Sequence, residues 1–176
     1  DIAQSIEILS DLGEKEYKQD LAENYRINAK IQQYNKEYKE SEASFKKALG
    51  YYNDLFSNKN HLDITLTRSS LAQLYYIQGD RKDSRKELNN TTEIYLDYIN
   101  TYFNYLTERE KQEFWKKINL DFEFYKTLAF EENNKREIET LYNNTLSTKA
   151  ILLSSSKKLR EAIVNSDDEQ VKELFK

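Results

Sequence analysis

The chain contains no proline and only three glycines in 176 residues, which leaves it few means of turning sharply. Sheets need frequent turns, and glycine and proline supply many of the backbone conformations that turns require. Long helices joined by short polar connections therefore suit this sequence best. The spacing of the apolar residues predicts helices over 1–12, 15–35, 37–57, 61–78, 80–104, 107–132, 135–165 and from 167 onward. The sequence thus predicts an all-α fold.

Several of these helices carry recognisable signals at their ends. Gly13 and Gly79 fall at breaks in the apolar pattern, where glycine commonly ends a helix. Thr107 is followed three residues later by Glu110, and Ser166 is followed in the same way by Glu169. This spacing is that of a capping box, so both sites are predicted to begin a helix.

A pattern of small and large residues recurs along the chain at an interval of 43 residues. The interval relates Ala29 to Ala72, and it also relates Leu12 to Leu55 and Leu55 to Tyr98. Helix pairs that recur in this way bury their apolar sides only against the next pair. We expect residues 1–104 to stack as antiparallel helix pairs in an α-α superhelix. Residues 105–176 break the interval and are predicted to form a diverged long helical hairpin.

The run Leu71-Ala72-x-x-Tyr75-x-x-x-Gly79 resembles the signature of the tetratricopeptide repeat. The interval in this chain exceeds the period of about 34 residues that is usual in that family. It resembles the longer-helix members, such as the repeats of kinesin light chain. The resemblance implies a superhelix whose concave surface binds a protein or peptide.

Residues 106–160 carry a second resemblance. The matching residues are Leu106-Thr107-Glu108, Phe114-Trp115, Phe122, Phe124-Tyr125, Asn144, Lys149, Leu152-Leu153, Ser155-Ser156 and Leu159-Arg160. Their arrangement resembles the helical region before the peptidase domain of bacterial CHAT proteins, in which tetratricopeptide repeats precede a caspase-like His/Cys protease. The resemblance implies that this chain is a piece of a longer protein whose protease lies beyond Lys176.

Eight residues are predicted to line the concave surface, because they flank the two alanines on the side away from the paired helix. They are Arg26, Lys30, Gln33 and Tyr34 in the first repeat, and Ser69, Gln73, Tyr76 and Ile77 in the second. Arg26 and Lys30 are one helical turn apart, so both cations could meet one carboxylate of a peptide. The alternative is that this pair belongs to a solvated face.

The helix over 135–165 presents an unusual seam. Its predicted inward positions include Ile138, Tyr142 and Thr145, and also Lys149 and Ser156. Lysine and serine make a poor core, so Lys149, Ser155, Ser156 and Arg160 are predicted to dock a downstream domain. The alternative is that the register is shifted and that these side chains are simply exposed.

Composition excludes several function classes. The chain has no cysteine and a single histidine, His61, which precedes a predicted helix and is interpreted as a cap or surface residue. We therefore expect no catalytic residues, metal or cofactor in this chain. The net charge is −4 and the basic residues form no stripe, which argues against nucleic-acid binding. No apolar run approaches the roughly 20 residues that span a bilayer, so no membrane insertion is expected. The compartment is undetermined, with the cytoplasm favoured.

Two functions follow from these patterns. The first is a protein-binding scaffold that positions or restrains a downstream caspase-like protease. The second is a stand-alone structural or assembly module that self-associates through the exposed ends of its repeats.

Overall fold

A computed structural model of the chain describes residues 1–13, 15–58, 60–103, 105–133 and 135–165. Within these residues it contains seven helices and no strand. The helices are α1 (Ile2–Gly13), α2 (Lys18–Tyr34), α3 (Tyr38–Leu55), α4 (Leu62–Ile77), α5 (Arg81–Tyr102), α6 (Glu108–Glu131) and α7 (Lys135–Val164). The predicted all-α class is therefore confirmed. The helix predicted from 167 onward, with its capping residues Ser166 and Glu169, lies outside the described residues.

The helix ends follow the signals in the sequence. Gly13 and Gly79 have φ angles of 139° and 85°, in the region that favours glycine over residues with a side chain. At the start of α6, Thr107 Oγ1 accepts a hydrogen bond from the Glu110 amide at 3.3 Å. The Thr107 amide in turn donates to Glu110 Oε2 at 2.8 Å, so the predicted capping box is present.

The chain divides into two compact units, one over Asp1–Ile94 and one that begins at Tyr95. This division falls inside α5. The repeat pattern instead predicts parts over 1–104 and 105–176, and that functional division stays a prediction.

In the first unit, small side chains bring the helices close together. One core cluster joins Ala22 of α2 to Ala48 and Tyr52 of α3 and to Ile64 of α4. A second joins Ala29 of α2 to Phe45 of α3 and to Leu71 and Leu74 of α4. Each cluster thus draws on three successive helices. Helix α2 packs on α1 and α3 and also touches α4, so its apolar residues are shared among several neighbours.

In the second unit, aromatic rings fill the space between the end of α5 and α6. The buried side chains include Tyr95 and Ile99 on α5, Phe103 directly after α5, and Phe114, Ile118, Phe122 and Tyr125 on α6. The Tyr95 ring meets Phe114 edge-on with 6.3 Å between centroids. The Tyr95 hydroxyl donates to Asp121 Oδ2 at 2.8 Å, so a carboxylate also lies within this aromatic core. No helix of the described residues has the length and apolar character needed to cross a membrane.

Candidate partner-binding face

Helix α2 is held against α3 by contacts that small side chains make possible. Ser41 Oγ donates to the carbonyl oxygen of Ala29 at 2.8 Å, which requires the two backbones to approach closely. One turn further along α2, Ser44 Oγ donates to Gln32 Oε1 at 2.8 Å. These bonds fix the rotation of α2, and therefore decide which of its side chains point away from α3.

In the C-terminal half of α2, four side chains are exposed and point away from the α2–α3 contact: Ile27, Lys30, Ile31 and Tyr34. We call this set the α2 face. Tyr34 is 87% exposed although it lies on the last turn of a well-packed helix. Lys30 supplies the positive charge in the middle of the set. The α2 face thus combines three large apolar side chains with a cation, which suits a partner carrying apolar groups and a carboxylate.

The structure gives Arg26 a different role from the predicted one. Its Nε donates to Glu23 Oε2 at 2.9 Å, and its Nη2 donates to the other carboxylate oxygen. The same Glu23 Oε2 accepts a hydrogen bond from the buried Tyr52 hydroxyl at 2.9 Å. Arg26 therefore anchors α2 to α3 through Glu23. A peptide carboxylate would have to compete with Glu23 for it, and the predicted pairing of Arg26 with Lys30 around one carboxylate stays a prediction.

This network perturbs the groups that form it. The hydrogen bond from Arg26 is the main cause that lowers the pKa of Glu23, with a further contribution from the Tyr52 hydroxyl. The same bond to Glu23 raises the pKa of Arg26. Burial is the first cause that raises the pKa of Tyr52, followed by its bond to Glu23. All three groups therefore keep their ordinary charges near neutral pH, and nothing in the network is poised to transfer a proton.

The four surface residues predicted on α4 differ in how exposed their side chains are. Ser69 is only 2% exposed, so its side chain does not line an open surface. Tyr76 is half-buried, with the Arg81 guanidinium 3.7 Å above its ring. Arg81 Nη1 also donates to the Tyr76 carbonyl at 2.9 Å, which ties the α4–α5 turn together. Of the remaining two, Gln73 is half-buried and Ile77 is exposed.

Sequence reasoning missed Ile27 and Ile31. The signal was available, because the two isoleucines are one turn apart and lie off the stripe formed by Leu21, Ala22 and Ala29. Helix α1 packs on this second side of α2, where Asn24 Nδ2 donates to Ser5 Oγ at 3.2 Å, and yet Ile27 and Ile31 stay 37% and 45% exposed. Apolar side chains that remain exposed beside such a contact point to a further partner. Gln33, predicted for the surface beside Tyr34, is half-buried.

Of the docking residues predicted on α7, the structure describes the side chain of Lys149 alone. Among the described side chains of α7, Leu141 and Thr148 are buried, whereas Tyr142 and Lys149 are exposed. The predicted inward seam is therefore off by one residue at these two positions, while its members Ile138 and Thr145 are half-buried, and docking through Lys149 stays a prediction. The side chains of Ser155, Ser156 and Arg160 lie outside the described part of the structure.

His61 caps α4, as one reading of the sequence predicts. Its Nδ1 accepts a hydrogen bond from the Asp63 amide at 3.3 Å, and its ring stacks on Phe56 with 3.5 Å between centroids. Among the described residues no three His, Cys, Asp or Glu side chains converge in a way that could hold a metal ion.

Neither a scan against models of protein families nor a search among curated proteins matches this chain.

Proposed function

We propose that this chain is a protein-binding scaffold of the tetratricopeptide type, and that the α2 face is where it binds a protein or peptide. One observation carries the proposal. Helix α2 packs on both α1 and α3 and also touches α4, and it still leaves Ile27, Ile31 and Tyr34 exposed around Lys30. Exposed apolar side chains grouped on a rigid helix are typical of surfaces that bind other proteins. The favoured ligand is a segment that has apolar side chains and one carboxylate.

Two further features support a stacked repeat. Ala29 and Ala72, one interval apart, are both fully buried, as small residues at close helix contacts are expected to be. The core clusters of the first unit each combine residues from α2, α3 and α4, which is how successive helix pairs in a repeat share one core.

Selection from a library of random 12-residue peptides displayed on phage tests the proposal. The selected peptides are then titrated against the chain by fluorescence anisotropy. The double variant Ile27→Ser/Tyr34→Ser should weaken their binding by at least about tenfold, since truncating central apolar anchors typically costs that much. The matched control is Leu55→Ser, an exposed leucine on α3 outside the α2 face. Failure to select any peptide, or binding that both variants affect equally, would contradict the proposal.

The wider proposal is that this scaffold positions or restrains a caspase-like protease in the same protein. It is supported by the resemblance of the α6–α7 region to the segment before the CHAT peptidase, and it stays a prediction. Restraint would act as coupling, in which partner binding changes the packing of the last helices and the protease responds. Reading the coding sequence of the parent gene is the direct test. A downstream domain with a His/Cys pair supports the association, and a gene without one removes it.

The second candidate function is an assembly module that self-associates through a repeat end. It is favoured by Ile8 and Leu12, which are one turn apart on α1 and exposed. Light scattering on the chain and on the Ile8→Ser/Leu12→Ser variant tests it. A concentration-dependent rise in mass that this variant abolishes would support assembly through α1, and a mass independent of the substitutions would oppose it.

A further inference from the structure

Helix α7 has an exposed apolar side that is separate from the side that packs on α6. Among the described side chains of α7, the buried ones are Leu141 and Thr148. About a third of a turn around the helix, Tyr142, Leu146 and Leu153 are 64%, 48% and 73% exposed. Glu139 and Lys149 lie on the same side and are exposed too. We call these five residues the outer stripe: Glu139, Tyr142, Leu146, Lys149 and Leu153.

The outer stripe has the spacing of a coiled-coil seam. Its members are separated in turn by three, four, three and four residues. This alternation keeps one line of side chains facing a second helix, so the stripe is shaped to pack along another helix. Within the part of the chain that the structure describes, neither Glu139 nor Lys149 forms an ion pair. The stripe therefore offers a partner both apolar side chains and two charges of opposite sign.

Four of the five stripe residues are complementary to one another when the helix is reversed, while Leu153 falls opposite residue 135, a lysine. In two antiparallel copies related by a two-fold axis midway between residues 142 and 146, Tyr142 of each lies opposite Leu146 of the other. The same axis brings Glu139 of each copy opposite Lys149 of the other, because both pairs have the same midpoint. An interface of this kind repeats every contact twice, as two-fold symmetric interfaces must.

We propose that the outer stripe is a self-association surface, and that two copies of this chain pair antiparallel through α7 in this register. The charges exclude the parallel arrangement, which would place Glu139 opposite Glu139 and Lys149 opposite Lys149. They also select the register, since a shift of one heptad separates the opposite charges. The proposal is independent of the binding proposed for the α2 face, which lies on another helix.

The proposed interface is short. From residue 139 to residue 149, the span that pairs in this register, the helix rises roughly 15 Å, at about 1.5 Å per residue. Interfaces smaller than about 1,200 Å² generally give weak, transient complexes. We therefore expect a dimer in exchange with the monomer, with a dissociation constant on the order of 10–100 μM.

Sedimentation equilibrium of the 176-residue chain, at about 10–300 μM, measures this association directly. Glu139→Lys and Lys149→Glu should each weaken the dimer by about tenfold, because each turns two attractive contacts into repulsive ones. An equimolar mixture of the two variants should restore association to within about threefold of the unmodified chain, since every facing pair is again of opposite sign. The double variant Glu139→Lys/Lys149→Glu should dimerise by itself to the same extent, since its facing charges are again of opposite sign.

Two further variants complete the test. Leu146→Ser should abolish the dimer, because it removes the central apolar contact on both sides of the axis. Lys117→Glu makes the same charge change as Lys149→Glu on an exposed position of α6 and should leave the dimer unaffected. Circular dichroism establishes that each variant keeps its helix content. A chain that stays monomeric at 300 μM, a dimer insensitive to Leu146→Ser, or charge variants that fail to rescue each other would each overturn the proposal.

Discussion

The buried hydrogen bond between Tyr95 and Asp121 gives a quantitative test of the second unit. Both side chains are buried, and the Tyr95 hydroxyl lies 2.8 Å from Asp121 Oδ2. Tyr95→Phe removes that hydroxyl and nothing else, so the ring contacts with Phe114 and Phe122 remain. Burial, together with the nearby Asp121 carboxylate, raises the pKa of Tyr95, so the hydroxyl is protonated and can donate at neutral pH.

The expected loss of stability follows from the charge of the acceptor. A hydrogen bond to a charged group contributes about 1.5–3 kcal/mol net, and a buried acceptor left short of a donor bears a further desolvation cost. We expect Tyr95→Phe to lower the free energy of unfolding by about 2 kcal/mol. With an m value of about 2 kcal/mol per molar urea, the unfolding midpoint falls by about 1 M.

The assay uses the fluorescence of Trp115, the chain's single tryptophan, which lies in the same unit with its ring 5.8 Å from that of Phe122. Urea unfolding followed by Trp115 therefore reports on the second unit itself. The matched control is Tyr98→Phe, since Tyr98 lies on the same helix and stacks on Phe114 at 4.5 Å. Its hydroxyl has no hydrogen-bond partner among the described residues, so a change below about 0.5 kcal/mol is expected. Equal midpoints for the two variants would refute the reasoning.

Three other predictions concern the α6 cap, two glycines and the Glu23 network. Thr107→Ala should lower the free energy of unfolding by about 1 kcal/mol, because it removes the capping box. Urea unfolding followed by Trp115 fluorescence measures this loss, and an unchanged unfolding midpoint would contradict it. Gly79→Ala should destabilise the chain by about 1 kcal/mol, because φ is positive at this position. Gly50→Ala lies at an exposed position within a helix and should instead stabilise the chain by about 0.5–1 kcal/mol. Thermal melts of the two variants test whether the effects have opposite signs. Because folding lowers the pKa of Glu23 below its usual 4.5, its stabilising effect is complete above that value and is lost as the pH falls through the folded pKa. The difference in unfolding midpoint between the unmodified chain and Glu23→Gln should therefore shrink from pH 6 to pH 3, and a constant difference would be the contrary result.

The helices were predictable because the sequence contains almost nothing that interrupts them. With no proline, the breaks fall where glycines or short polar runs stand, and Gly13, Gly79 and Thr107 mark three of them. These signals are local, since a positive φ or a capping hydrogen bond depends on only a few neighbouring residues. Such features can be predicted from sequence without knowing the packing.

The polar core of α4 and α5 was not predictable in the same way. Thr65, Thr67, Thr91 and Thr92 are buried although they are polar. Each hydroxyl donates to the carbonyl oxygen four residues earlier, at 2.7–3.0 Å. A threonine that finds its partner within its own helix can be buried at little cost. This is also why a chain with only 38% hydrophobic residues can build a core, and why apolar spacing alone underestimates which positions are inside.

The same reasoning explains the one-residue error in α7. Two seams of similar spacing run along this helix, one through Leu141, Thr145 and Thr148, and the other through Tyr142, Leu146 and Lys149. Their apolar content differs little, so periodicity does not choose between them. The choice depends on the polar members. Thr145, which the predicted seam also contains, donates its hydroxyl to the Leu141 carbonyl at 2.8 Å and can be half-buried in either register, so the two registers differ chiefly at Lys149. The ammonium group of Lys149 has no such bond available within the helix, and burying it unpaired would be costly. The threonine seam therefore packs on α6, and the seam with Lys149 is left for a partner that brings a carboxylate.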